Sequence, residues 1–143
     1  MKGMNELKVR AYDKRRGWMA PVRSITFMVD GGIANVGLWD LNGGVYDEGA
    51  SELELMLWTG QKDNHGRDIY EGDIIRRYTW QGDIEWGGVY WDNEEAMFRL
   101  ERFMTTDEYG QYQHIQSPSE YFDDCEVIGV VYDYPGVRRI NDW

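Results

Sequence analysis

Asp63, His65 and Asp68 stand close together in the segment Asp63-Asn64-His65-Gly66-Arg67-Asp68. Two carboxylates and an imidazole are an oxygen-and-nitrogen donor set for a divalent metal. The spacing is not that of a calcium loop. His65 stands at the third position and Tyr70 at the eighth, and no Glu closes the loop at the twelfth. A polar turn is the simpler account. Cys125 with His65 or His114 would make a nucleophile and its base. Nothing in the chain brings them together, and Cys125 precedes an apolar run whose burial makes an inert thiol. The adjacent pairs Asp123-Asp124 and Glu94-Glu95 cannot act as an acid–base dyad on a strand, where neighbours face opposite sides. No phosphate loop, zinc spacing or nucleophile elbow is present. The expectation is therefore no enzyme, no metal and no cofactor. A metal-dependent hydrolase using Asp63, Asp68 and Asp73 is the least favoured alternative.

One cationic cluster stands out: Lys14-Arg15-Arg16, with Lys8 and Arg10 nearby. Such a cluster fits phosphates, an acidic partner, or the acidic part of a second copy, which would give a homo-oligomer. A solvated turn is the plainer reading. The net charge is −11, unevenly spread: residues 1–43 sum to +3 and residues 44–143 to −14. The acidic part would repel nucleic acid, so phosphate binding is expected only from the basic N-terminal hairpin. Seven Trp, ten Tyr and four Phe sit largely among carboxylates, as in Tyr90-Trp91-Asp92-Asn93-Glu94-Glu95. Core packing accounts for them better than a base-stacking platform, which needs a basic groove.

These residues must be held by strands. Leu7–Tyr12 alternates apolar and polar residues, the period of a half-buried strand. Asp13–Gly17 is a polar turn, and Trp18-Met19 resumes, giving a hairpin with a basic tip. Ile25–Val29 and Val36–Leu41 read as strands, each ended by a glycine pair. Ser51–Trp58 has capping-box spacing at Ser51 and Glu54, but Leu53, Leu55 and Leu57 alternate, and a strand is expected. Thr59–Gly72 is a long turn-rich stretch, with Gly60, Gly66 and Gly72 as turn points. Ile74–Tyr78, Trp80–Trp86, Gly88–Trp91, Met97–Leu100 and Val127–Tyr132 are further strands. Thr105–Ser119 is a polar insertion with a hairpin tip at Tyr109–Tyr112, and Ser119–Phe122 a single helical turn. Short strands between turn signals predict a mostly β, antiparallel fold with a partly closed, SH3-like barrel. The charge changes sign near Gly43-Gly44, which marks an expected boundary between two lobes. The N-terminal Met1–Lys8 is not a signal peptide, no run reaches about 20 apolar residues, and the one cysteine cannot pair within the chain, which together predict a cytoplasmic protein with no membrane segment.

Three segments resemble the YopX family of phage and prophage proteins. The first is Trp58-Thr59-Gly60-Gln61-Lys62-Asp63-Asn64-His65-Gly66-Arg67-Asp68-Ile69-Tyr70-Glu71-Gly72-Asp73-Ile74-Ile75. The second is Lys8-Val9-Arg10-Ala11-Tyr12-Asp13, similar to the family's opening strand. The third is Glu126-Val127-Ile128-Gly129-Val130-Val131-Tyr132-Asp133-Tyr134-Pro135, similar to its closing strand and proline turn. Departures are Val130 where the family has Asn, Tyr134-Pro135-Gly136 for Asn-Pro-Glu, and Gln61 for Leu. The resemblance implies one YopX-like domain over 1–143, divisible into an N-terminal β lobe (1–58) and an SH3-like barrel (59–143). It offers no catalytic residues. The expected duties of Thr59, Gly60, Lys62, Asp63, Gly66, Ile69, Tyr70, Glu71, Gly72, Asp73, Val127, Ile128, Gly129, Tyr132 and Pro135 are structural, with Asp73 accepting N–H bonds from the preceding turn. The implied function is that of a phage or prophage accessory protein in the host cytoplasm, working by binding an unidentified host or phage protein. The alternative is a nucleic-acid-associated regulator using the basic hairpin.

Overall fold

The computed structural model describes residues 7–78, 82, 84–102 and 124–133. The sequence expectations at Trp80, Tyr109–Tyr112, Ser119–Phe122 and Pro135 lie outside them. The described residues form ten antiparallel strands and short 3-10 turns, with no α-helix among them. The fold is mostly β, as expected. The chain divides into two compact units, Met1–Leu57 and Trp58–Trp143.

In the first unit, β1 (Val9–Asp13) and β2 (Trp18–Phe27) form the expected hairpin with Asp13 opposite Trp18. β3 (Ile33–Trp39), β4 (Val45–Gly49) and the first half of β5 (Leu53–Lys62) complete it. The order is β4-β3-β2-β1-β5. β2 is one strand of ten residues rather than two short ones. It pairs with β1 as far as Pro21 and with β3 from Val22 onward. A proline lacks a ladder donor; its place at the change of partners is where that loss costs least. Ala11, Ala20, Val36, Leu38 and Leu53 form the core, with Trp18, Val22, Ile25 and Tyr46 packed against it. Complete burial of a side chain such as Leu38 contributes about 1.5–3 kcal/mol.

In the second unit, the remainder of β5 pairs with β6 (Asp68–Tyr70). The stretch expected to be all turn thus holds strand at both ends, because the turn itself needs only Asp63–Arg67. A four-stranded sheet follows in the order β10-β7-β8-β9, built from β7 (Asp73–Tyr78), β8 (Ile84–Asp92), β9 (Met97–Arg102) and β10 (Cys125–Val130). β8 runs straight through Gly87, where a break was expected. β10 begins at Cys125 and gives way to a 3-10 turn at Val131–Asp133, earlier than the proline signal indicated. Ile69, Ile75, Val89, Leu100 and Cys125 form the core, with Phe98 and Val127 against it. Trp91 and Phe98, opposite each other on β8 and β9, meet edge to face at 5.0 Å.

The expected SH3-like barrel needs correction in one respect. β9 and β10 are the two ends of this sheet and do not pair with each other, so no barrel closes among the described residues. Evenly spaced turn signals report that successive strands are hairpins. Closure depends on the first and last strands meeting, and local turn chemistry does not encode that.

Candidate functional site

The Trp58–Ile75 motif is organised around two buried carboxylates. Asp63 Oδ1 accepts the N–H groups of His65 at 2.9 Å and Arg67 at 2.8 Å, and Oδ2 accepts the N–H of Val127 at 2.9 Å. One side chain thus closes its own turn and ties it to β10, helped by Asn64 N–H donating to the Cys125 carbonyl at 2.9 Å. Burial alone would raise the pKa of Asp63. The N–H groups of Val127, Arg67 and His65, with the His65 ring beside them, outweigh burial and hold it below the usual carboxylate value. Asp73 is fully buried and accepts the Tyr70 N–H at 2.8 Å, the role expected for it.

The other motif residues serve the same framework. The Thr59 hydroxyl donates to the Ile69 carbonyl at 2.7 Å, and Ile69 fills the core. Lys62 pairs with Asp68 at 3.2 Å. Gly60, Gly66 and Gly72 all have positive φ, at 85°, 78° and 79°. Gly60 is not a turn: the β5–β6 register shifts between Trp58 and Lys62, so it marks a bulge within β5. Gly72 donates its N–H to Val89 at 2.7 Å and accepts from Val131 at 2.8 Å, joining β8 to the end of β10. Tyr70, Glu71 and Tyr132 are half-buried. Ile128 is the extra residue of a second bulge, since Val127 pairs with Ile75 and Gly129 with Ile74. At Gly66 a Cβ would meet nothing within 4 Å, so only the backbone conformation penalises a side chain. Gly66→Ala is expected to cost about 1–2 kcal/mol, read as a lower urea midpoint with an unchanged slope.

Asp63, His65 and Asp68 do not converge. Asp63 turns inward to backbone donors, His65 Nε2 lies 3.0 Å from Glu126 Oε2, and Asp68 faces Lys62. No group of three His, Cys, Asp or Glu among the described residues could hold a metal ion. Glu126 also pairs with Arg76, which lies 5.6 Å from the Trp86 ring. Cys125 is fully buried in the core while Glu126, next to it on β10, faces His65 on the other side. The thiol and the imidazole are therefore on opposite faces. Cys125 should react with a thiol reagent only as fast as the protein unfolds; rapid labelling of folded protein would contradict this.

The basic hairpin tip is tied into its own unit. Arg15 pairs with Glu48 at 2.9 Å, and Arg16 lies 3.1 Å from Asp13 and 3.4 Å from Glu48. Arg16 also stacks over Tyr46 at 4.1 Å. Both acidic partners are buried. Sequence reasoning missed Glu48, which sits on a strand with no apolar alternation. Lys14 is exposed, whereas Lys8 and Arg10 are half-buried at the far end of β1. Lys8 and Lys14 are about 20 Å apart along the strand direction, so the five cations do not form one patch.

The model of the family described as YopX protein matches residues 8–137. The chain belongs to the YopX family. The three motif segments lie in that span, in the order the resemblance implied. Family membership fits a phage-type protein of unassigned function. No curated protein matches. Among solved structures, the crystal structure of protein EF1440 from Enterococcus faecalis is similar, with a TM-score of 0.56 and 21% identity, covering 91% of this chain and 96% of that one. This likeness shows a shared fold. No helix among the described residues of this YopX protein is long and apolar enough to cross a membrane.

Proposed function

We propose that this YopX protein is a phage-type accessory protein that acts in the host cytoplasm by binding a host or phage protein, and that it is not an enzyme. One observation carries the reading. Phe27, Met28 and Val29 at the β2–β3 turn, and Trp39, Leu41 and Val45 at the β3–β4 turn, are two separate groups of large apolar side chains left exposed at opposite ends of β3 in the first unit. Clustered exposed apolar side chains serve as anchors for protein partners. The buried carboxylates Asp13, Asp63 and Asp73, by contrast, accept backbone N–H groups and are committed to the frame. The nucleic-acid alternative has less support, since Arg15 and Arg16 already face Glu48 and Asp13. In the same reading the second unit keeps a partly closed, SH3-like character, on the strength of its consecutive antiparallel hairpins.

Affinity capture of the tagged chain from host lysate, at low and moderate salt, tests the proposal. One protein enriched reproducibly in stoichiometric amount supports it. Clean monodisperse protein that enriches nothing at either salt would remove its basis.

A further inference from the structure

β4 ends its sheet with an unusual edge. It pairs with β3 over all five residues, from Asn35 opposite Gly49 to Trp39 opposite Val45, without a bulge. It contains no Lys and no Pro. Edge strands are commonly blunted by such features, and β10 carries a bulge. The direction of the β4 backbone groups follows from the hairpin. Asp40 N–H donates to the Gly44 carbonyl at 2.8 Å, which makes Trp39 and Val45 a non-hydrogen-bonded pair. Alternation then sends the N–H and C=O of Tyr46 and Glu48 to β3, and those of Val45, Asp47 and Gly49 outward. These three residues are exposed.

The side chains beside this edge define what fits. Val45, 53% exposed, lies next to Trp39, 41% exposed, on the solvent face. Asp47 is at the centre, and no cation among the described residues pairs with it. Glu48 points inward, where Arg15 and Arg16 meet it. The edge therefore offers three outward-facing residues, a Trp39–Val45 shelf with the Arg23 guanidinium 6.0 Å from the Trp39 ring, and one carboxylate with no ion-pair partner among the described residues. A second copy docked in the fully overlapping register would place Asp47 opposite Asp47, which is unfavourable.

We propose that the β4 edge takes up an extended segment of a partner protein as an added strand, with a Lys or Arg opposite Asp47 and an apolar residue against Val45 and Trp39. Main-chain hydrogen bonds would supply affinity, and the alternate side chains would supply selectivity. The inference rests on the protein-binding reading and names its surface.

The test uses the full chain and a displayed library of random short peptides. Enriched peptides should carry Lys or Arg two positions from an apolar residue, so that both fall on the face shared by Asp47 and Val45. On their binding, the amides of Val45, Asp47 and Gly49 should gain protection from hydrogen exchange. Asp47→Pro removes an outward N–H without touching the β3 ladder, a place where proline is tolerated; it should weaken binding at least tenfold. Asp47→Lys keeps the edge and reverses the charge, and should also weaken basic peptides several-fold. The proposal is overturned by no enrichment, by acidic winners, or by affinity unchanged in both variants. It is equally overturned by a concentration-dependent dimer that Asp47→Pro abolishes, since the occupant is then a second copy. Equal capture of a lysate protein by the wild type and Asp47→Pro would overturn the edge proposal while leaving the binding function standing; an empty wild-type capture counts against the function itself.

Discussion

Asp63→Ala should lower the unfolding free energy by about 3–5 kcal/mol. The figure follows from three N–H groups, of His65, Arg67 and Val127, that lose their acceptor at once. A buried donor left without a partner costs about 1–3 kcal/mol, and water reaching the exposed side of the turn trims the sum. Asp63→Asn should cost less. Its oxygen can keep the two bonds within the turn, but the amide then presents a donor to the Val127 N–H. Urea unfolding followed by tryptophan fluorescence measures both. A loss below about 1 kcal/mol for Asp63→Ala would show that the turn and β10 are held by something else.

The same carboxylate sets an acid dependence. Its folded-state pKa lies below its ordinary value of 3.8. A depressed pKa means that the stabilisation is fully present above the ordinary value and is lost as pH falls through the folded one. Stability should therefore fall below about pH 4, with a shallower slope in Asp63→Asn. A slope identical in the two proteins would count against the assignment.

The second large effect is expected at Asp13, in the other unit. Its Oδ1 accepts the N–H groups of Arg15 and Arg16, each at 3.0 Å, and its Oδ2 accepts the Tyr46 hydroxyl at 3.0 Å and the Arg16 guanidinium at 3.1 Å. Trp18 Nε1–H donates in turn to the Tyr46 oxygen at 3.0 Å. Burial would raise the Asp13 pKa, but the Arg16 N–H, the Tyr46 hydroxyl, the Arg16 side chain and the Arg15 N–H together hold it low. Asp13→Ala should cost about 2–4 kcal/mol, less than Asp63→Ala, because the turn N–H groups can find water. Tyr46→Phe removes one donor from the same carboxylate. Its effect should be smaller by about 1 kcal/mol or more when Asp13 is already Ala. Strict additivity of the two substitutions would break the link between them. Asp13 also acts in the same acid window as Asp63, so removing both should flatten the pH slope more than removing either alone.

Much of this was legible in the chain. The alternation in Leu7–Tyr12 and Leu53–Leu57 placed β1 and the start of β5, and the polar run after Tyr12 placed the β1–β2 turn. The glycines at 60, 66 and 72 stood where the backbone needs positive φ. Asp73 could be read as an acceptor for the turn before it, because its partner is three residues away. The motif segments were enough to recognise the family. All of these are local signals, carried by residues within a few positions of one another. What only the tertiary structure decided is non-local. β4, with its Tyr-Asp-Glu run, has no apolar alternation and exists because β3 offers it a ladder. Pro21 is accommodated because β2 changes partner there. Arg15 and Arg16 read as a free basic tip until Glu48, more than thirty residues on, is brought beneath them. Asp63 read as a possible metal ligand until Val127 supplied a donor from the far end of the chain. Spacing along the sequence tells which backbone shapes are cheap; which strand lies beside which is settled by burial of the shared core, and that choice determines which charges are paired and which edge is left open.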